Sequence, residues 1–199
     1  MRILAPHSDS FGGYGGIATA NRHFLRAVCR AGEVEEVVGL PRLVPNPPVQ
    51  DLPPSLTWRT EGVGGKAAYL GALLRLLSMD RGFDLIWCGH IHLVPLAILA
   101  KRLTGAPVAL HIHGIEAWTP TDRWLANRLV PRIDHFISVS DLTKQRFSEW
   151  TGLDPERGAV IPNTIDFDRF GLGPKDSDLL DRYDLTDDHY ILMTLGRLA

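Results

Sequence analysis

The chain has 199 residues, of which 45% are hydrophobic and 22% charged, so it can bury a full core. Its formal net charge of −2 gives no electrostatic basis for binding nucleic acid. No apolar run reaches the roughly 20 residues that a membrane-spanning helix needs, and the N-terminus lacks a secretory signal pattern. Together with two cysteines in predicted regular elements, Cys29 and Cys88, these features predict a cytoplasmic protein with reduced thiols.

Apolar runs alternate with helical periodicity along the chain. This pattern predicts an α/β protein with a doubly wound, Rossmann-like parallel sheet and helices on both faces. The predicted strands are 2–5, 34–40, 57–60, 84–88, 107–112, 135–139, 159–161 and 190–195. The predicted helices are 17–30, 66–79, 94–103, 122–132 and 142–150. The alternation of strands and helices changes after residue 170, so we expect one domain at 1–170 and a linker with the first strand of a second, truncated domain at 171–199. A C-terminal strand that adds to the edge of the first sheet is the alternative.

A glycine-rich loop follows the first predicted strand. Gly12, Gly13, Gly15 and Gly16 precede a helix whose first amides have no intrahelical partner. Glycine lets a phosphate approach those amides, and the helix dipole adds partial positive charge. The glycines begin roughly seven residues after the strand, and no acid ends the second strand, so the dinucleotide fingerprint is only half matched. The loop predicts a phosphate site; a turn that only packs a helix on a sheet is the alternative.

The predicted helix 66–79 has a broad apolar face, with Lys66, Arg75 and Arg81 beside it. Such a helix either covers a sheet or lies on a membrane surface. We favour the first interpretation, and a peripheral contact of residues 66–81 with the inner face of a membrane is the alternative.

Five histidines fall at the predicted carboxyl ends of strands, where open α/β sheets bind ligands. They are His7, His90, His92, His111 and His113. Alternation predicts that His90 and His92 share one face, and that His111 and His113 do likewise. A metal site normally adds carboxylates, and Glu116 is the nearby acid on these two strands. We therefore favour imidazoles that hydrogen-bond a polar substrate over a metal site.

The segment 113–118 is the second informative motif. Gly114 permits a sharp turn off a buried strand, which would present His113 and Glu116 at the floor of a cleft. Trp118 either offers its flat face to a sugar ring or plugs the top of the next helix.

Four segments resemble, in order, the N-terminal half of a family 4 (group 1) retaining glycosyltransferase with the GT-B fold. They are 12–16, 113–116, 137–140 and 160–166, and residues 194–198 resemble the strand and turn that open the C-terminal domain of that family. The family usually has Pro-Asn-Gly-Val-Asp where this chain has Pro162-Asn-Thr-Ile-Asp166, so the backbone twist at Thr164 is expected to differ. Asn163 and Asp166 would organise an interdomain hinge.

The resemblance implies transfer of a sugar from a nucleotide-sugar donor to a carbohydrate or glycolipid acceptor, with retention of configuration and without a metal or other cofactor. It implies that Gly15, Gly16 and Arg197 bind the donor diphosphate, and that His113 and Glu116 act at the transferred sugar. The residues expected to contact the acceptor or sugar are Gly13, Tyr14, His90 and Trp118.

The lysine and the paired acidic motif that complete the donor site in this family would lie beyond Ala199, so the isolated chain is expected to be inactive. Two other functions stay open at this point. One is an NAD(P)-dependent oxidoreductase built on the glycine loop, and the other is a non-catalytic module that binds a sugar or nucleotide.

Overall fold

The computed structural model describes residues 1–48, 51–165, 171 and 173–192. The chain separates into two compact units, Met1–Thr164 and Ile165–Ala199. The predicted boundary between residues 170 and 171 falls within the second unit and stays a prediction. Of the predicted strand 190–195, residues 190–192 are not in a strand, and the remainder lies outside the described residues.

In the first unit the described residues form one parallel sheet of seven strands. The strands are β1 (Arg2–His7), β2 (Glu36–Pro41), β3 (Leu56–Trp58), β4 (Leu85–Cys88), β5 (Val108–Ile112), β6 (His135–Ser138) and β7 (Gly158–Val160). Their order is β3-β2-β1-β4-β5-β6-β7, and each neighbouring pair is parallel. The predicted α/β parallel sheet is confirmed.

Helices connect these strands at the predicted places. They are α1 (Gly16–Cys29), α2 (Lys66–Met79), α3 (Val94–Thr104), α4 (Trp124–Leu129) and α5 (Asp141–Thr151), with α6 (Ser177–Arg182) in the second unit. Helix α4 is shorter than the predicted helix 122–132. Pro131 lacks an amide hydrogen, and the chain continues as a 3-10 turn at Val130–Arg132.

Two buried clusters show which helices cover the sheet. Leu4 of β1 belongs to a large cluster that includes buried side chains of α2, α3 and α5. Its neighbours Ile3 and Ala5 belong to a second cluster with Leu25 of α1. Because successive side chains of a strand point to opposite faces, α1 lies on one face of the sheet and the other three helices lie on the opposite face. This confirms the prediction of helices on both faces.

Helix α2 covers the sheet, as the favoured interpretation of its sequence predicted. It buries Tyr69, Leu73, Leu76 and Leu77, and the Tyr69 hydroxyl donates to the carbonyl oxygen of Leu40 at 2.5 Å. Among the described residues, no helix is long and apolar enough to cross a membrane.

The strands all run in one direction, so their carboxyl ends lie along one edge of the sheet. The segments that leave this edge include 8–15 after β1, 89–90 after β4, 113–114 after β5 and 139–140 after β6. The amide of Gly89 donates to the carbonyl oxygen of Pro6 at 2.9 Å, which ties the end of β4 to the end of β1. This edge collects the predicted site residues that fall within the described chain.

Candidate active site

The glycine loop is held by side chains of the helix that it precedes. Asn21 of α1 is buried and donates from Nδ2 to the Asp9 carbonyl oxygen at 2.9 Å. Arg22 donates from Nε to the Ser10 carbonyl oxygen at 3.2 Å and from Nη2 to that of Gly13 at 2.9 Å. Neither residue is among those predicted from the sequence. Asn21 shares the helical spacing of the apolar residues Ala18 and Leu25, which is the signal that could have indicated it, because a buried amide needs a hydrogen-bond partner.

The first two glycines are required by packing within the chain. A Cβ atom at Gly12 would lie 2.5 Å from the carbonyl oxygen of Asn46, and one at Gly13 would overlap the carboxylate of Asp9. Burial raises the pKa of that Asp9 carboxyl, against the opposing charge of Arg22. Gly13 therefore leaves room for a side chain of the loop itself. The predicted contact of Gly13 with the acceptor or the sugar stays a prediction.

Gly15 and Gly16 differ from those two residues. Gly15 has φ 112° and precedes the first turn of α1, so it occupies a backbone conformation that other residues rarely adopt. Gly16 is exposed, and a Cβ atom there would meet nothing within 4 Å beyond its chain neighbours and the backbone of its own helix. The protein's own packing does not require glycine at position 16, and its absent side chain leaves open space at the helix N-terminus. Tyr14, between the two pairs of glycines, is 74% exposed.

Strand β1 extends two residues beyond its predicted end and finishes at His7. The loop therefore begins closer to the strand than expected. His7 is fully buried, and its Nδ1 lies 2.8 Å from the Ala5 carbonyl oxygen. A carbonyl can only accept, so Nδ1 carries the hydrogen and Nε2 accepts from the Ser10 hydroxyl at 3.0 Å. Burial lowers the pKa of His7 to about 4. His7 thus acts as a neutral, structural link between strand and loop.

His90 and His92 do not share a strand face, so that prediction is wrong. Strand β4 ends at Cys88, and His90 caps a 3-10 turn at Ile91–Leu93 by accepting the His92 amide at Nδ1 over 3.1 Å. Their rings nonetheless lie 4.9 Å apart between centroids. Burial, followed by the charges of His92, His113 and Arg42, lowers the pKa of His90 to about 4.

His111 and His113 do lie together, as alternation predicted. Their ring centroids are 4.4 Å apart. His113 Nε2 lies 3.3 Å from the Gly89 carbonyl oxygen, so Nε2 is the donor and Nδ1 keeps its lone pair. His113 Nδ1 and both ring nitrogens of His111 are buried without a hydrogen-bond partner. Burial lowers the pKa of both imidazoles, that of His111 to about 3, so both are neutral near pH 7.

Glu116 contacts the backbone of the turn that carries His113. One oxygen of its carboxylate, Oε1, accepts the amide hydrogen of His113 at 2.5 Å. Gly114 has φ 141°, which a side chain would disfavour, and it caps a 3-10 turn at Ile115–Ala117. Glu116 and Gly114 therefore define the path of the chain as it leaves β5.

Trp118 is half-buried and packs against α5. Its Nε1 donates to the Thr143 hydroxyl at 3.0 Å, and the Arg146 guanidinium lies 4.3 Å from the ring centroid. The Ser140 hydroxyl, which caps α5, also lies 3.0 Å from the Thr143 hydroxyl. Trp118 thus fastens the β5 turn to the start of α5.

The structure brings His90, His111 and His113 together at the edge where the glycine loop also begins. Arg197 lies outside the described residues, and so do Asp166 and the terminal segment 194–198. Among the described residues, no group of three or more His, Cys, Asp or Glu side chains is placed to hold a metal ion.

The doubly wound parallel sheet of the first unit, with loops at the carboxyl ends of its strands, places this unit in the class of Rossmann-like folds. The family model of Glycosyltransferase Family 4 matches residues 14–169, which is more than half of the chain. The chain therefore belongs to glycosyltransferase family 4. This match also disfavours the oxidoreductase alternative.

Solved structures show the same fold. The chain is similar to HepE from Anabaena in complex with UDP-glucose, with a TM-score of 0.61 at 18% identity over 92% of this chain and 50% of that one. It is also similar to the apo form of the lipopolysaccharide outer core galactosyltransferase WaaB, with a TM-score of 0.58 at 13% identity over 89% of this chain and 50% of that one. The fold is that of the N-terminal half of a GT-B glycosyltransferase, and the chain spans about half the length of these structures. A search of curated protein sequences found no match.

Proposed function

We propose that this chain is the acceptor-binding half of a retaining glycosyltransferase that uses a nucleotide-sugar donor. Membership of family 4 supports a sugar-transfer reaction. The similar Anabaena HepE was solved with UDP and with UDP-glucose, which supports a nucleoside diphosphate sugar as the class of donor. Retention of configuration is proposed on the resemblance of segments 12–16, 113–116, 137–140 and 160–166 to the retaining members of that family.

The open space at Gly16 is the observation that carries the proposal. A backbone amide at the start of a 14-residue helix has no intrahelical acceptor, and the helix dipole favours an anion there. Because a Cβ atom built at Gly16 would meet no atom within 4 Å apart from its chain neighbours and the backbone of its own helix, a diphosphate can approach this amide. Gly15 and Gly16 would donate their amides to the donor diphosphate, and Arg197 would pair with the same group as it leaves.

His113 is the second support. Its ring is neutral, and its Nε2 donates a hydrogen bond to the Gly89 carbonyl oxygen. Glu116 holds the turn that carries it by accepting the His113 amide hydrogen. A neutral imidazole at this edge suits hydrogen bonding to a sugar hydroxyl as positive charge develops at the anomeric carbon, since a cationic imidazolium would oppose that charge. Glu116 acts in this proposal by placing His113. Tyr14, His90 and Trp118 are proposed to line the sugar and acceptor side of the cleft.

The test is a panel of nucleotide sugars offered to the full-length protein with candidate acceptors. Release of the nucleoside diphosphate would be followed by chromatography, and the anomeric configuration of the product by NMR. We expect one nucleoside diphosphate sugar to be consumed and the product to keep the configuration of the donor. An inverted product would overturn the retaining assignment, and failure to bind any nucleotide sugar would overturn the proposed function.

A further inference from the structure

A groove between the N-terminal ends of α2, α3 and α4 combines apolar walls with positive charge. Its volume is about 330 Å³, which lies within the size range of small-molecule sites. Leu70, Leu96 and Leu125 contribute its apolar walls. Its basic lining residues are Arg42, Lys66, His92 and Arg123. None of the described residues that line it is Asp or Glu. We call it the α2–α4 groove.

The positive charge of the groove is only partly neutralised. Asp122 lies beside it, with its carboxylate 3.4 Å from Nε of Arg123 and 3.6 Å from Nε2 of His92. The Asp122 side chain is 68% exposed, and ion pairs of such exposed groups are weak. Within the part of the chain that the structure describes, the charged ends of Arg42 and Lys66 make no hydrogen bond or ion pair. Two cations are therefore available to an anionic ligand.

The leucines that form the apolar walls are partly exposed to solvent. Leu70 is 37% exposed and Leu125 is 42% exposed, and Trp124, next to Leu125 in the chain, is 70% exposed. Apolar side chains that line a concave surface under a rim of cations match a ligand with a hydrocarbon part and an anionic part. A free phosphate would leave the leucines exposed. A flat bilayer surface would contact the rim and leave the concave walls unfilled.

The groove adjoins the candidate active site. His92, which lines the groove, has its ring 4.9 Å from that of His90 at the strand edge. Arg42 follows the carboxyl end of β2, and its amide donates to the carbonyl oxygen of His7 at 2.9 Å. A ligand held in the groove would thus lie beside the imidazoles proposed to face the transferred sugar.

We propose that the α2–α4 groove binds the acceptor of the reaction, and that this acceptor is an anionic amphiphile with a phosphate group on a hydrocarbon chain. Arg42, Lys66 and Arg123 hold the phosphate, because a guanidinium matches phosphate oxygens with paired donors and an ammonium adds a point charge. The hydrocarbon chain covers Leu70, Leu96 and Leu125. The role as acceptor rests on the proposed transfer function, whereas the binding of the amphiphile does not.

The binding experiment uses the full-length protein without any donor. Dodecyl phosphate, below its micelle concentration, would be titrated by calorimetry, with inorganic phosphate, neutral dodecyl maltoside and anionic vesicles as separate probes. We expect saturable one-to-one binding of dodecyl phosphate, with inorganic phosphate and dodecyl maltoside at least about tenfold weaker.

Variants locate the site. The double variants Lys66→Gln/Arg123→Gln and Leu70→Ser/Leu125→Ser are each expected to weaken dodecyl phosphate binding by about tenfold. Two controls should bind as the wild type does. Arg128→Gln removes an exposed cation of α4 that does not line the groove, and Leu142→Ser removes a leucine of similar exposure from α5.

Four results would overturn the inference. They are equal binding of inorganic phosphate, equal binding of dodecyl maltoside, binding to anionic vesicles without saturable binding of the monomer, and groove variants that bind as tightly as the wild type. A protein that transfers sugar but fails this titration would refute the groove and leave the proposed function intact. A protein that binds dodecyl phosphate through the groove but takes no nucleotide sugar would refute the function instead.

Discussion

The amide of His113 donates to the Glu116 carboxylate at 2.5 Å, so Glu116 closes the turn that places His113 at the strand edge. We expect that removal of this hydrogen bond would loosen the turn that carries His113. Glu116→Ala should lower the free energy of unfolding of the full-length protein by about 1 kcal/mol, because a backbone donor loses its acceptor. Glu116→Gln keeps an acceptor oxygen and should cost less. Thermal unfolding of both variants measures this difference, and equal losses would contradict the positioning role.

The Gln variant also tests whether Glu116 takes a direct part in transfer. If the carboxylate only positions His113, Glu116→Gln should keep most of the wild-type turnover in the full-length protein. If turnover of Glu116→Gln instead fell by about a hundredfold at unchanged stability, the negative charge of Glu116 would itself take part in the reaction.

His113 is expected to matter for turnover far more than for stability. His113→Ala removes the imidazole proposed to face the transferred sugar, and we expect turnover of the full-length protein to fall by about 10²–10³-fold. The matched control is His135→Ala, an exposed histidine at the opposite edge of the sheet, at the start of β6. Steady-state rates with a saturating donor measure the effect. Wild-type turnover in His113→Ala would contradict the assignment.

His111 makes the stability depend on pH. Burial lowers its pKa to about 3 from 6.5, so the folded protein keeps the ring neutral while the unfolded chain takes up a proton below pH 6.5. The stabilisation is complete above that pH and decreases as the pH falls toward the folded value. His7 and His90, each with a pKa near 4, act in the same direction.

The variant His111→Phe isolates this effect, because neither ring nitrogen of His111 has a hydrogen-bond partner to lose. Between pH 5 and pH 6, removal of one titrating ring should reduce the slope of unfolding free energy against pH by about 1.2 kcal/mol per unit. Denaturant unfolding across this range measures the slope. An unchanged slope would show that His111 is not neutral in the folded state at pH 5.

Arg22 is expected to order the glycine loop. Its guanidinium donates to the carbonyl oxygens of Ser10 and Gly13. Arg22→Met keeps much of the apolar stem and removes these bonds, so hydrogen exchange in residues 8–16 should become faster by about tenfold. Arg30→Met, at the exposed end of α1, is the control and should leave exchange in the loop unchanged. Slow exchange in Arg22→Met would show that other contacts hold the loop.

The sequence was sufficient for the order and type of the elements in the first unit. Apolar strands covered on both faces and helices with one apolar face are local patterns, so they can be read without a structure. The end of β1 could not be placed this way. His7 and Ser10 are polar, and their burial depends on a hydrogen bond between their side chains that no local pattern records.

The roles of some glycines could be predicted from the sequence, and those of others could not. Gly15 and Gly16 stand where a phosphate site at a helix start was predicted. Gly12 is glycine because Val44 and Asn46, which lie in the segment after β2, pack against it. His90 was assigned to a strand face because alternation was continued past Gly89, whereas the strand ends at Cys88. The periodicity of apolar residues is a local pattern and does not predict contacts between distant segments of the chain.

The most direct test of the account is donor binding by the full-length variant Gly16→Ala. The added methyl group would contact only its chain neighbours and its own helix, and it sits in the first turn of a helix, where Ala is favoured over Gly, so stability should be unchanged or slightly raised. The same methyl group would occupy the space assigned to the diphosphate. Calorimetric titration with the accepted nucleotide sugar should show affinity reduced by about tenfold or more. Gly32→Ala, also in open space but remote from α1's N-terminus, should bind as the wild type does. Wild-type donor affinity in Gly16→Ala would contradict the assignment of this loop to the donor diphosphate.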